Sequence, residues 1–176
     1  MAQDHIQPRP LGAYAVLAAT FAGGFGAFVA SRRANGGLPE RIPPSDVVLL
    51  GVATHKLSRL IAKDKIAAFV RAPFAEPRAP GAVPGEVEDR AKGDGLQGAV
   101  GQLLTCPHCL SMWIAAGFAG GMVVAPRETR LIAATLGAAT LSDFLQVGYR
   151  KTARREEPAE PATEQPAQPV AGQPVG

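Results

Sequence analysis

The feature that most constrains this chain is a set of long segments without charge. Leu11–Ser31 carries none over 21 residues, and Cys109–Ala125 carries none over 17. Leu131–Ser142 is uncharged as well, and the apolar stretch continues to Tyr149 if Asp143 is accepted inside it. A bilayer hydrocarbon core about 30 Å thick is crossed by roughly 17–25 helical residues, so each of these blocks is long enough to span. A water-soluble bundle would show a polar stripe at helical spacing along each block, and none is present. The expected class is therefore all-α: a small multi-pass helical membrane protein.

The boundaries follow from charge and from Pro and Gly. Residues 1–10 form a polar lead, 11–150 a membrane domain, and 151–176 a Pro/Ala/Glu/Gln tail too poor in apolar residues to build a core, expected to be disordered. The first span covers about 11–31; it is too long for a signal-peptide core and is followed at once by Arg32-Arg33, so it reads as retained. Ala15, Ala19, Gly23 and Ala27 recur every four residues along it, a ladder that permits close helix contact. A second helix, capped by Ser45 or Asp46, covers 46–62. Its apolar start gives way to His55, Lys56 and Arg59, so it either crosses with its basic end snorkelling into headgroups or lies half-buried. The later spans cover about 105–125 and 131–149, separated by a tight hairpin at Arg127–Arg130. Three or four transmembrane helices result, with a cytoplasmic interfacial helix around Ile66–Val70 and a flexible loop over 76–100 that is dense in Pro and Gly.

Lys and Arg distribution orients the chain. Whether 46–62 crosses or not, the better solution puts Lys63–Gln102 and the tail in the cytoplasm and Arg127–Arg130 outside. The expected location is the inner (cytoplasmic) membrane. The lipid bilayer is then the first partner, with homo-oligomer or membrane-protein contacts through the small-residue helix faces. A net charge of +3 spread along loops does not resemble a nucleic-acid footprint.

Two groups of residues stand out. Arg59, Asp64 and Arg71 lie at the membrane boundary among apolar residues, where charges tend to pair; Asp64 amid cations points to an internal partner, with Arg71 two helical turns away and Asp143 as a further candidate. Lys63 reads as solvated. The second group is Cys106-Pro-His-Cys109, where Pro107 suits the first turn of a helix that Thr105 or Cys106 would cap. Trp113, four residues past Cys109 on the same face, reads as an interfacial anchor. A C-x-x-C pair alone supports three readings: packing or dimer contact, thiol–disulfide redox, and metal binding. A structural zinc site needs four ligands, and one chain offers Cys106 and Cys109 with His108 or His55, so any metal would rest on the two thiols. Packing leads, no cofactor is expected, and an enzyme is the less favoured reading.

Thr54–Phe74, which reads THKLSRLIAKDKIAAFVRAPF, and Gly101–Trp113, which reads GQLLTCPHCLSMW, carry a resemblance. They are similar to the two signatures of a bacterial membrane family catalogued as domain of unknown function 1360, approximately RLTRLIxxDxIxxxxRxPF and GELLxCxxCxGxW. Arg59, Asp64, Arg71, Phe74, Cys106, Cys109 and Trp113 match. Lys56, Gln102 and Ser111 depart from the usual Arg, Glu and Gly, and His108 stands at a position that is often aromatic. The missing Glu removes a metal ligand or proton carrier. The resemblance implies a small multi-pass membrane protein, covering roughly Val47 to Tyr149, and implies no reaction.

Overall fold

The computed structural model describes residues 10–83 and 85–156. The polar lead and the tail beyond Glu156 lie outside these residues. The chain divides into two units, Met1–Leu141 and Ser142–Gly176. Among the described residues there are six helices and one antiparallel pair of strands, so the all-α expectation is corrected by a small sheet.

In the first unit, α1 is Leu11–Ala34 and α2 is Pro44–Lys63. A 3-10 turn at Lys65–Ala67 leads into α3, Ala68–Arg71. Strands β1 (Ala75–Pro80) and β2 (Val87–Ala91) follow, then α4 (Gly95–Thr105), α5 (Pro107–Val124) and α6, which begins at Pro126 and runs to Glu156. Among the described residues, three helices are long and apolar enough to cross a membrane: Leu11–Ala34, Pro107–Val124 and Pro126–Ala153. The second unit, described by itself, contains the last turns of α6, with Phe144, Leu145, Val147 and Tyr149 exposed.

Helix α2 is held along α5. Ala53, Phe118 and Ala133 form the buried core, with Leu49, Leu50, Leu57, Ile114 and Leu136 packed against it. At one end of α2, the Asp46 carboxylate takes two hydrogen bonds from the Arg130 guanidinium, at 3.0 and 2.7 Å. Asp46 thus serves α6 rather than capping its own helix, which has Pro43 at the N-cap. At the other end, Lys63 lies close enough to Cys106 to act on its charge. As α5 begins beside Cys106 and α6 begins two residues past the end of α5, α2 runs antiparallel to α5 over its height. Twenty residues of helix give it about 30 Å.

Helix α1 runs the other way. Tyr14 donates to Gln102 near the start of α5, Phe21 meets Trp113 edge-on at 5.2 Å, and Phe28 lies over Gly120. These residues repeat every seven positions and make one face. The Ala15, Ala19, Gly23, Ala27 ladder is exposed and takes no part in it.

The stretch expected to be a loop over 76–100 holds the hairpin and the first half of α4. Pro77 and Pro80 are tolerated because β1 pairs on one side only, and the register shifts between Pro77 and Ala79, leaving Arg78 as a bulge. The turn into α4 needs glycine at two places, Gly93 with φ +77° and Gly95 with φ +56°.

The expected span over 105–125 is found as α5, Pro107–Val124. Cys106 leaves the helical region, with φ −105° and ψ 104°, because Pro107 disfavours helix at the residue before it. The apolar run Leu103–Thr105 therefore belongs to α4, which packs on the hairpin instead of extending α5.

Candidate functional site: a polar cap beside the cysteine pair

Arg71 organises the cap. Its side chain is fully buried, yet it carries a charge that has to be balanced. Nε donates to Asp89 Oδ2 at 2.7 Å, and Nη1 donates to the carbonyls of Ile61 at 2.6 Å and Asp64 at 3.1 Å. One guanidinium thus ties the last turn of α2, the residue after it and strand β2. Nη2 is buried with no hydrogen-bond partner among the described residues.

Two more cations are closed in the same way. Arg59 pairs with Glu86, which is itself buried, and Lys63 pairs with Glu88 at 2.6 Å. The basic end of α2 and α3 thereby meets a row of carboxylates at Glu86, Glu88 and Asp89. Backbone bonds add to the join: Lys65 N–H donates to Gly85 O at 2.9 Å, and Lys92 N–H to Phe74 O at 2.9 Å.

Arg59 and Arg71, both singled out in the sequence, thus take carboxylates from the hairpin. The carboxylate on Arg71 is Asp89, while Asp64 offers Arg71 its backbone carbonyl. Lys63, read as solvated, is an ion-pair member with its side chain only 17% exposed. The partners were missed because they sit in a stretch whose Pro and Gly content masks the strand. The readable signal was the charge run Glu86-Val-Glu-Asp89, placed after the basic residues Arg59, Lys63 and Arg71.

Phe74 and Gly101 join the two signature segments. A Cβ on Gly101 would press against the Phe74 carbonyl and lie 2.9 Å from Ala91 Cβ. Only a glycine lets α4 approach the end of the first segment this closely.

The cysteine pair opens α5. Cys106 is the N-cap, and its Sγ accepts the Cys109 N–H at 3.3 Å. Both thiols are free, Cys106 partly covered and Cys109 exposed. Burial opposes the Cys106 thiolate. Hydrogen bonds from the Cys109 thiol and from the N–H groups of Cys109 and His108, with the Lys63 charge nearby, outweigh it and hold that thiol below its ordinary range. Among the described residues no three His, Cys, Asp or Glu side chains gather to hold a metal ion. Trp113, expected as an interfacial anchor, packs on Phe21 of α1.

A family model described as "Protein of unknown function (DUF1360)" matches residues 49–149, which takes in α2 from Leu49 on, the cap, the cysteine pair, α5 and α6 to Tyr149. The chain is also similar to the sporulation protein YjcA of Bacillus subtilis (strain 168), with 29% identity over 102 residues, covering 57% of this chain and 86% of that protein. No solved structure matches. The matched segment contains both signature stretches and every residue of the cap, and the chain belongs to the DUF1360 family.

Proposed function

We propose that this chain is a four-span, multi-pass protein of the inner membrane, both of whose ends are cytoplasmic, and that it serves as an interaction or scaffold element rather than an enzyme. The observation that carries the reading is the course of α2. It reaches Arg130 at one end and the neighbourhood of Cys106 at the other, so it covers the same height as α5. Three of its charged residues fall where a crossing helix can keep them: Asp46 paired at one boundary, Arg59 and Lys63 paired at the other. With α2 as a crossing, Lys63–Lys92 and the basic start of the tail fall on the side of the N-terminus. That side is cytoplasmic by the positive-inside tendency. The cap then forms a rigid cytoplasmic platform, and its ion pairs serve to hold shape.

A second reading is favoured by one observation, the low thiol at Cys106 next to exposed Cys109: a membrane thiol–disulfide or metal-handling protein. Neither the family's description nor the relative's sporulation label carries a reaction that would select it. Alkylation of acid-quenched cells separates the two. The scaffold reading expects two free thiols per chain. A trapped mixed disulfide, or stoichiometric zinc after gentle detergent extraction, overturns it.

A further inference from the structure

The segment between α2 and β1 is built inside out. Arg71 is fully buried, while Ile66 is 78% exposed, Phe69 77% and Val70 40%. In water this arrangement is unfavourable on both counts, since apolar area stays wet and a charge is desolvated. It is favourable where the outer surroundings are apolar. We propose that Ile66, Phe69 and Val70 form a wedge that sits in the boundary layer of the bilayer, between headgroups and acyl chains, and seats the cap on the membrane. This rests on the membrane reading above and adds the lipid contact to it.

Position supports lipid as the occupant. Arg71 Nη1 reaches back to the Ile61 carbonyl, inside the last turn of α2, so the segment is folded to the level where that helix ends. Lys63 and Cys106 lie near one another at that level, beside the first residue of the candidate span Pro107–Val124. The headgroup region adds about 5–8 Å on each side of the hydrocarbon core, a depth that interfacial apolar faces occupy. The opposite flank is taken by the hairpin, through Lys65 N–H to Gly85 O and Arg71 to Asp89. The exposed side chains are thus the flank that the carboxylate strand leaves uncovered. Lys65, exposed beside Ile66, suits a headgroup phosphate.

The test uses tryptophan as a depth probe in the full chain reconstituted into phosphatidylcholine–phosphatidylglycerol vesicles. Wild type reports from Trp113, its only tryptophan. Trp113→Phe combined with Phe69→Trp, and separately with Ile66→Trp, reports from the wedge. Lipids spin-labelled high or low on the acyl chain are the quenchers. The wedge predicts a larger loss of fluorescence at position 69 or 66 with the shallow label than with the deep one. Quenching of Trp113 together with water-like, unquenched emission at 69 and 66 overturns the wedge and leaves the membrane reading standing. Blue-shifted but unquenched emission at these positions means that protein, a partner or a second copy, covers them, and also overturns it. Loss of quenching at all three positions overturns the membrane reading as well.

Discussion

At the scale of single residues, Arg71 decides whether the cap holds. It is buried, its charge is met by one carboxylate, and its other bonds go to the carbonyls of Ile61, in the last turn of α2, and of Asp64, the residue after it. Removing one member of a buried pair leaves the other desolvated and uncompensated, at about 3–5 kcal/mol. Arg71→Gln and Asp89→Asn should each lower the detergent melting temperature and the steady-state level strongly, and the double variant should recover part of the loss. Lys63→Gln breaks a pair whose Glu88 side chain is 44% exposed, so it should cost about 1 kcal/mol or less. Equal melting of Arg71→Gln and Lys63→Gln would contradict the central role of Arg71. Gly101→Ala places a methyl group against the Phe74 carbonyl, with backbone on both sides unable to yield cheaply. It should cost about 1–3 kcal/mol, while Gly117→Ala, which meets open space in the middle of α5, should not lower the melting temperature.

At the scale of elements, the break at Cys106 separates what packs on the cap from what packs along the helices. Pro107 imposes it and the Cys106 sulfur caps the new helix. Because the Cys106 thiol lies below its ordinary range, its alkylation should rise at a lower pH than that of a free peptide thiol, read by site-resolved mass spectrometry of the intact chain. A profile at or above the ordinary thiol range would remove the basis for the second functional reading. Much of this layout was legible in the chain. Uncharged blocks gave α1, α5 and α6, and the Pro107 start of α5 followed from helix-capping chemistry. Arg59 and Arg71 were legible too, because charges at a membrane boundary need partners. The hairpin was not: Pro77, Pro80 and Gly85 are loop residues by local preference, and what makes them a strand is the long-range demand of Arg59, Lys63 and Arg71 for carboxylates. The use of Asp46 was hidden for the same reason, since its partner Arg130 is 84 residues away.

At the scale of the whole molecule, the proposed topology requires α2 to be a full crossing, although its sequence is too polar to be recognised as one. Lys56, Arg59 and Lys63 crowd its last third, and the helix is absent from the three that qualify by length and hydropathy. Its neighbours explain how it can cross: α5 and α6 cover its apolar and small residues, Ala53 and Leu57 among them, and the ion pairs close its ends. Topology then follows from parity. In the proposed reading the loop between α1 and α2 faces outward and the cap faces the cytoplasm. The direct measurement is labelling by a membrane-impermeant maleimide in a Cys106→Ser, Cys109→Ser background, with one new cysteine at Glu40 in the α1–α2 loop or at Leu96 on the cap. The account predicts that Glu40→Cys is labelled in intact cells and Leu96→Cys only after lysis. Labelling of both positions only after lysis would mean that α2 does not cross and would contradict the account.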